Sequence, residues 1–325
     1  MRCEPLLGLI LLFSPAAAMA DSRLLYLEAQ AVAGYSSAAG DVIYRSAGKN
    51  DAMQKNSAGV DYIRKFSSDS GDWGTLAIES RLAWDPDAGT RFRPQLYNGY
   101  FRAKAPFGYF WAGHNRVAAG LEAYFDTHAA LMQTLQMYGA GFDRDWGAGA
   151  SKDLDWGDAA FSLTTGSGMP LFLHGNYLAS ARISKGVLAR DNYTAGLYYS
   201  GGRIPDIMGY HIENRKPRTY NVTGTDIAYL WDRFELRGDL RIGQRGGRNI
   251  YAALGRFGVD LMEENRLKLE FQTVTTKADG TLDYFLASGL SCTATAELSL
   301  RTMFEYENLG ADKRLITQAY YYFKI

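Results

Sequence analysis

Charged side chains recur at every second position inside otherwise apolar segments: Arg81, Arg102, Arg182, Arg237, Arg241 and Arg301, with Glu79, Glu235 and Glu305. Guanidinium and carboxylate groups lining an aqueous cavity would set its field and its preference among ions. A second group, Arg116, Glu122 and Asp126, stands in a stretch from Asn115 to Gly141 that is rich in Ala, Leu and Met. These three are the better candidates for a specific role, because wall charges also serve simply to solvate a polar lumen. Catalysis has little support. The four histidines, His114, His128, His174 and His211, are scattered with no HExxH or CxxC spacing that would mark a metal site. G-x-S-x-G is absent, and the glycines at Gly166 and Gly168 lack the strand-to-helix context of a phosphate loop. No cofactor is implied.

The elements that must position these charges are legible from their spacing. From Arg233 to Arg245, Arg233, Glu235, Arg237, Asp239 and Arg241 alternate with Phe234, Leu236, Gly238, Leu240 and Ile242. A helix would smear those charges around its circumference, whereas a strand gathers them on one face and leaves the other apolar. The same alternation marks Leu298, Leu300, Phe304 and Tyr306 against Glu297, Arg301, Glu305 and Glu307. It recurs near Leu267–Phe271, Leu76–Trp84 and Tyr97–Lys104. The segments are long enough for tilted strands to cross a bilayer, longer than the strands of a soluble sandwich. The expected fold is therefore all-β: a transmembrane antiparallel barrel with lipid outside and a watery, ionic lumen inside.

Turn signals separate sixteen strands, near 23–36, 56–66, 73–84, 94–105, 107–114, 142–152, 156–166, 174–185, 191–201, 218–230, 232–244, 248–260, 264–276, 282–292, 294–306 and 313–325, with fourteen as the alternative. The links at Ala105-Pro106, Asp153–Asp155, Trp231 and Thr293 are very short and follow even-numbered strands. Links 37–55, 115–141, 167–173 and 202–217 are longer and follow odd ones. Barrels place short turns on the periplasmic side and long loops outside, so the long links are outer loops. The longest, 115–141, is the third of them, and its apolar content suits the barrel interior better than water.

Composition and ends agree with this reading. Lys+Arg and Asp+Glu are 35 each, so nothing points to a nucleic-acid partner. Aromatic residues make up 14 %, and Tyr and Trp near strand ends suit interfacial girdles. Residues 1–20 read as a signal peptide: Arg2, the apolar run Leu6–Phe13, then Ala18-Met19-Ala20. That leaves 21–325 as the barrel, delivered to a bacterial outer membrane. Of the two cysteines, Cys3 would leave with the signal and Cys292 would remain alone.

The stretch from Gly108 to Gly168 resembles the sixteen-stranded general and phosphate-selective porins of Gram-negative bacteria. It carries Gly113–Arg116 at a strand end, Gly120-Leu121, the run Asp143-Arg144-Asp145-Trp146-Gly147, and Thr165-Gly166-Ser167-Gly168. The resemblance implies an inward third loop that narrows a channel for small hydrophilic solutes and ions. It also implies a homotrimer, contact with outer-membrane lipid and lipopolysaccharide, and insertion by the barrel-assembly machinery. The chain departs from phosphate-selective members in its balanced charge, and it ends on Ile325 where an aromatic residue is usual, although Tyr321, Phe323 and Ile325 keep the outward alternation. A non-conducting barrel serving as adhesin or anchor, or a barrel hydrolase, is the alternative function.

Overall fold

The computed structural model describes residues 22–46, 54–69, 71–84, 92–123, 131, 134–262, 266–278 and 280–325. The strands are β1 (Ser22–Ser36), β2 (Asp41–Ile43), β3 (Ser57–Ser68), β4 (Gly71–Trp84), β5 (Phe92–Ala105), β6 (Gly108–Arg116), β7 (Arg144–Leu154), β8 (Gly157–Thr164) and β9 (Tyr177–Lys185). They continue with β10 (Tyr193–Met208), β11 (His211–Trp231), β12 (Phe234–Arg245), β13 (Arg248–Asp260), β14 (Leu267–Ala278), β15 (Thr281–Thr293), β16 (Leu298–Glu307) and β17 (Asp312–Lys324). All belong to one antiparallel sheet, which closes where β1 pairs β17 from Tyr26 opposite Lys324 to Ser36 opposite Arg314. Apart from the three-residue β2, sixteen staves form the ring, so the fourteen-strand alternative falls.

Alternation explains why each segment is a stave. On β12, Leu236, Leu240 and Ile242 are about half exposed on the outer surface, while Glu235, Asp239 and Arg241 are buried on the inner one. A one-residue slip would put three charges into lipid, so register is strongly fixed. Closure leaves the staves no open edge in the hydrocarbon. Trp73, Tyr229, Trp231, Tyr321 and Phe323 are exposed on the outer face near the ends of their strands, as a girdle requires. Tyr100 and Trp111 alternate instead onto the inner face, between outward Phe101 and Phe110.

One connection differs from the sequence expectation. Residues 202–217 do not form a loop: β10 and β11 continue as a paired ribbon to Met208 opposite His211, turning at Gly209-Tyr210. Pro205 and Pro217 cannot donate to the ladder, and a proline is accommodated where the ladder is already interrupted. Here the register steps from Ile204 opposite Arg218 to Asp206 opposite Asn214, so both prolines sit in the irregularity.

The inner wall is not uniformly ionic. Val32, Ala228, Leu254, Val274, Phe285, Met303 and Ile316 are buried together with Leu121, Leu131 and Leu135 of the third loop. An apolar band on the wall thus receives an apolar loop, which is why a Leu- and Ala-rich connection is stable inside a charged barrel.

Candidate functional site

The site is built from the root of the third loop upward. The loop leaves β6 at Arg116 and returns to β7 at Arg144, whose Cα atoms are register partners. The Arg144 guanidinium lies 3.4 Å from the Tyr97 ring centroid, donates to Asn98 Oδ1 at 3.0 Å, and pairs with Asp143 at 2.8 Å. Beside it, the buried Asp145 carboxylate accepts hydrogen bonds from the backbone N–H of Trp146, Gly166, Ser167 and Gly168 and from the Thr165 hydroxyl. Trp146 Nε1 donates to the Met169 carbonyl at 3.1 Å. The two sequence runs Asp143–Gly147 and Thr165–Gly168 are therefore one clamp. Gly166 and Gly168 adopt φ of +70° and +64°, and a Cβ would stand 2.7 Å from Ile204 and 2.8 Å from Phe142. Only glycine meets both demands.

From that root the described residues of the loop reach the inner wall at β10 to β13 and β15. Its one-turn segment Gly120–Ala123 lies against β10 and β11, and Leu135–Tyr138 lies against β13. Two arginines of β12 hold its returning limb by the backbone: Arg241 Nη1 donates to the Ala140 carbonyl at 2.6 Å, and Arg245 Nη1 to the Gly139 carbonyl at 3.0 Å. Tyr138 packs near Phe285 of β15, with ring centroids 6.2 Å apart. Glu122 falls in the Gly120–Ala123 turn, and its side chain lies outside the described residues, as does the whole of Asp126.

The sequence-predicted wall arginines differ in what they touch. Arg241 anchors the loop and pairs with Asp239 at 2.7 Å. Arg182 is a wall strut: its Nε and Nη2 grip both oxygens of Asp226, Nη1 pairs with Asp158 at 2.8 Å, and Nη2 also donates to Thr194. Arg81 donates to Gln95 and Gln30 across β4, β5 and β1. Arg237 shares Glu235 with Lys268. Arg301 donates to Gln318, and Arg102 is exposed near the end of β5, 5.5 Å from the Tyr109 ring centroid. Glu79 accepts from Asn98, and Glu305 accepts from Arg314. Among the described residues, Arg241 ties the wall to the third loop. Replacing Arg182 by alanine would leave Asp226, 2 % exposed, without its bidentate partner. We expect a loss of about 3–5 kcal/mol of barrel stability, read as a lower urea midpoint for unfolding from lipid vesicles.

Several contributors went unnoticed in the sequence. Arg314 meets three carboxylates, Glu305, Glu307 and Asp312, and Arg245 lies at the end of the alternating run on β12. Arg245 donates to backbone carbonyls remote in the chain, of which spacing carries no trace. The carboxylates around Arg314, by contrast, lie on its own strand and on β16 beside it, within the reach of a hairpin register. Tyr320 and Tyr322 stack on each other and donate to Glu28 and Asp61.

No family model matches the chain, and no curated protein matches its sequence. Solved structures do match in shape. The anion-selective porin from Comamonas acidovorans aligns with a TM-score of 0.64 at 11 % identity, covering 94 % of this chain and 100 % of that one. The fold is that of the sixteen-stranded outer-membrane porins. The outer-membrane channel DcaP of Acinetobacter baumannii aligns on this porin barrel with a TM-score of 0.62 at 11 % identity, covering 93 % and 97 %. An in-vitro folded trimer form of OmpT from Vibrio cholerae aligns with a TM-score of 0.58 at 12 % identity, covering 93 % and 99 %.

Proposed function

We propose that this porin barrel is an outer-membrane channel for passive diffusion of small hydrophilic solutes and ions, non-enzymatic, with the third loop as its constriction. The observation that carries the reading is the loop itself: it enters the lumen, rests on the inner wall, and is tied there by Arg241 and Arg245. A loop so placed narrows any aqueous path and puts its own charges beside permeating ions. Residues 1–20 serve as an export signal, and the barrel works as a homotrimer in lipid and lipopolysaccharide after insertion by the assembly machinery. The trimer form of a protein with this fold supports that assembly.

Selectivity follows from how the wall is paired. Arg182 with Asp226, Arg241 with Asp239, Arg256 with Glu270 and Arg314 with Glu305 cancel each other's fields locally. The wall then discriminates weakly, and Arg116, Glu122 and Asp126 at the loop set the residual preference. Liposome swelling tests the flux directly: vesicles holding the purified protein should admit small sugars quickly and larger ones progressively more slowly. Swelling no faster than in protein-free vesicles would refute the channel. Replacing Glu122 and Asp126 together by alanine should move the reversal potential toward anions; an unchanged value would remove them from the constriction.

A further inference from the structure

The ribbon formed by the outer ends of β10 and β11 is a second inward element beside the third loop. Its pairing is interrupted at Pro205, and three residues of β11, Arg215 to Pro217, bulge between the pairs Ile204–Arg218 and Asp206–Asn214. A bulge bends and twists a strand, and a proline there cannot donate to the ladder. Past the bend the tip reaches β5, which is not a neighbour of β10 or β11 in the sheet. The Tyr210 hydroxyl donates to the Leu96 carbonyl at 2.9 Å, and its ring packs with Met169 on Tyr97. Leu96 and Tyr97 lie on β5, separated from β10 around the ring by β6, β7, β8 and β9. The ribbon therefore folds inward over part of the mouth instead of standing out from the rim.

The base of the bend is also held. Ile204 and Ile207 are buried with Phe142, Leu178, Tyr220 and Val222. Asp206 pairs with Arg245 at 2.9 Å and with Arg218 at 3.8 Å. Arg245 donates to the Pro205 carbonyl through Nη2 and to the Gly139 carbonyl of the third loop through Nη1. One guanidinium thus grips the ribbon's bend and the loop's returning limb together. Burial raises the Tyr210 hydroxyl above the ordinary tyrosine range, so it stays a donor at physiological pH.

We propose that the β10–β11 tip is a lid over the outer mouth, hinged at the Pro205 bulge, latched by Tyr210 on Leu96 and Tyr97, and coupled to the third loop through Arg245. This rests on the channel reading given above. A lid of this kind explains why the sequence keeps two prolines inside a paired ribbon and an aromatic side chain at its turn. With the latch formed by one hydrogen bond and one ring contact, Tyr210→Ala should raise the open fraction on the order of fivefold or more.

The test separates the lid from the channel. In a Cys292→Ser background, Tyr97→Cys and Tyr210→Cys are joined by a short reversible bis-thiosulfonate linker, and current is recorded before and after reduction. We expect an intramolecular bridge by mass, a large fall in current, and recovery on reduction. Failure of the bridge to form would mean the tip is not across the mouth and would overturn the lid. A bridge with unchanged current would overturn it too, while leaving the channel intact. In a second variant, residues 205–217 are replaced by Asn-Gly, which closes the ribbon as a two-residue hairpin at Ile204 and Arg218. It should conduct more than the unaltered chain; equal current in the two would count against the lid, and silence in both would refute the channel and the lid with it.

Discussion

Asp145→Ala is expected to be the most damaging single substitution at the loop root, lowering barrel stability by about 3–5 kcal/mol. The carboxylate is fully buried and accepts from four backbone N–H groups and one hydroxyl. Its removal leaves those donors facing a cavity, and each buried orphan costs about 1–3 kcal/mol unless water reaches it. Asp145→Asn is not a rescue, because the amide turns a donor toward donors. The segment from Thr165 to Gly168 would then lose its shape, and Ile204 and Phe142, which pack against its glycines, would lose their seats. Urea unfolding in vesicles, followed by the mobility of the folded barrel on gels, reads the loss. A midpoint equal to that of the unaltered chain would show that the clamp is dispensable.

The second large effect is expected at Arg241, and it is functional more than structural. The guanidinium donates to the Ala140 carbonyl, pairs with Asp239, and sits 5.4 Å from the Tyr198 ring centroid. Arg241→Ala removes one of the two guanidinium ties on the loop's returning limb and leaves Asp239 buried without its cation, a cost of about 3–5 kcal/mol. Arg241→Met with Asp239→Asn removes both charges and isolates the release of the loop, since no unpaired buried charge remains. Single-channel records of that double variant should show a larger, noisier open level. Arg241→Lys should fall between, because an ammonium keeps the charge but not the fork. Quiet openings of unaltered size in the double variant would show that the loop is held without this contact.

Much of the architecture was legible in sequence because a barrel wall obeys a period of two. The segment 248–260 was placed to the residue, and β12 was read with its inner and outer faces correctly assigned. The alternation failed as a guide where tertiary contacts overrode local signals. Turn signals end one strand at 201 and start the next at 218, whereas pairing continues to Met208 and His211, and the tip finds contacts on β5. The loop's place in the lumen was legible from its apolar composition, but its anchors were not. Arg241 and Arg245 bind carbonyl oxygens of Ala140 and Gly139, and a backbone acceptor leaves no mark on residue types. The same holds for the inner apolar band: Val274, Phe285 and Ile316 read as ordinary interruptions in a polar face until they are seen side by side.

If water and ions pass through this barrel around its third loop, purified protein inserted into a planar bilayer should give stepwise, long-lived unitary currents, roughly ohmic at low voltage. Their reversal potential under a salt gradient should lie close to zero. Stable insertion of folded barrels with no unitary current, in the unaltered chain and in the chain trimmed at 205–217 alike, would contradict that passage of water and ions.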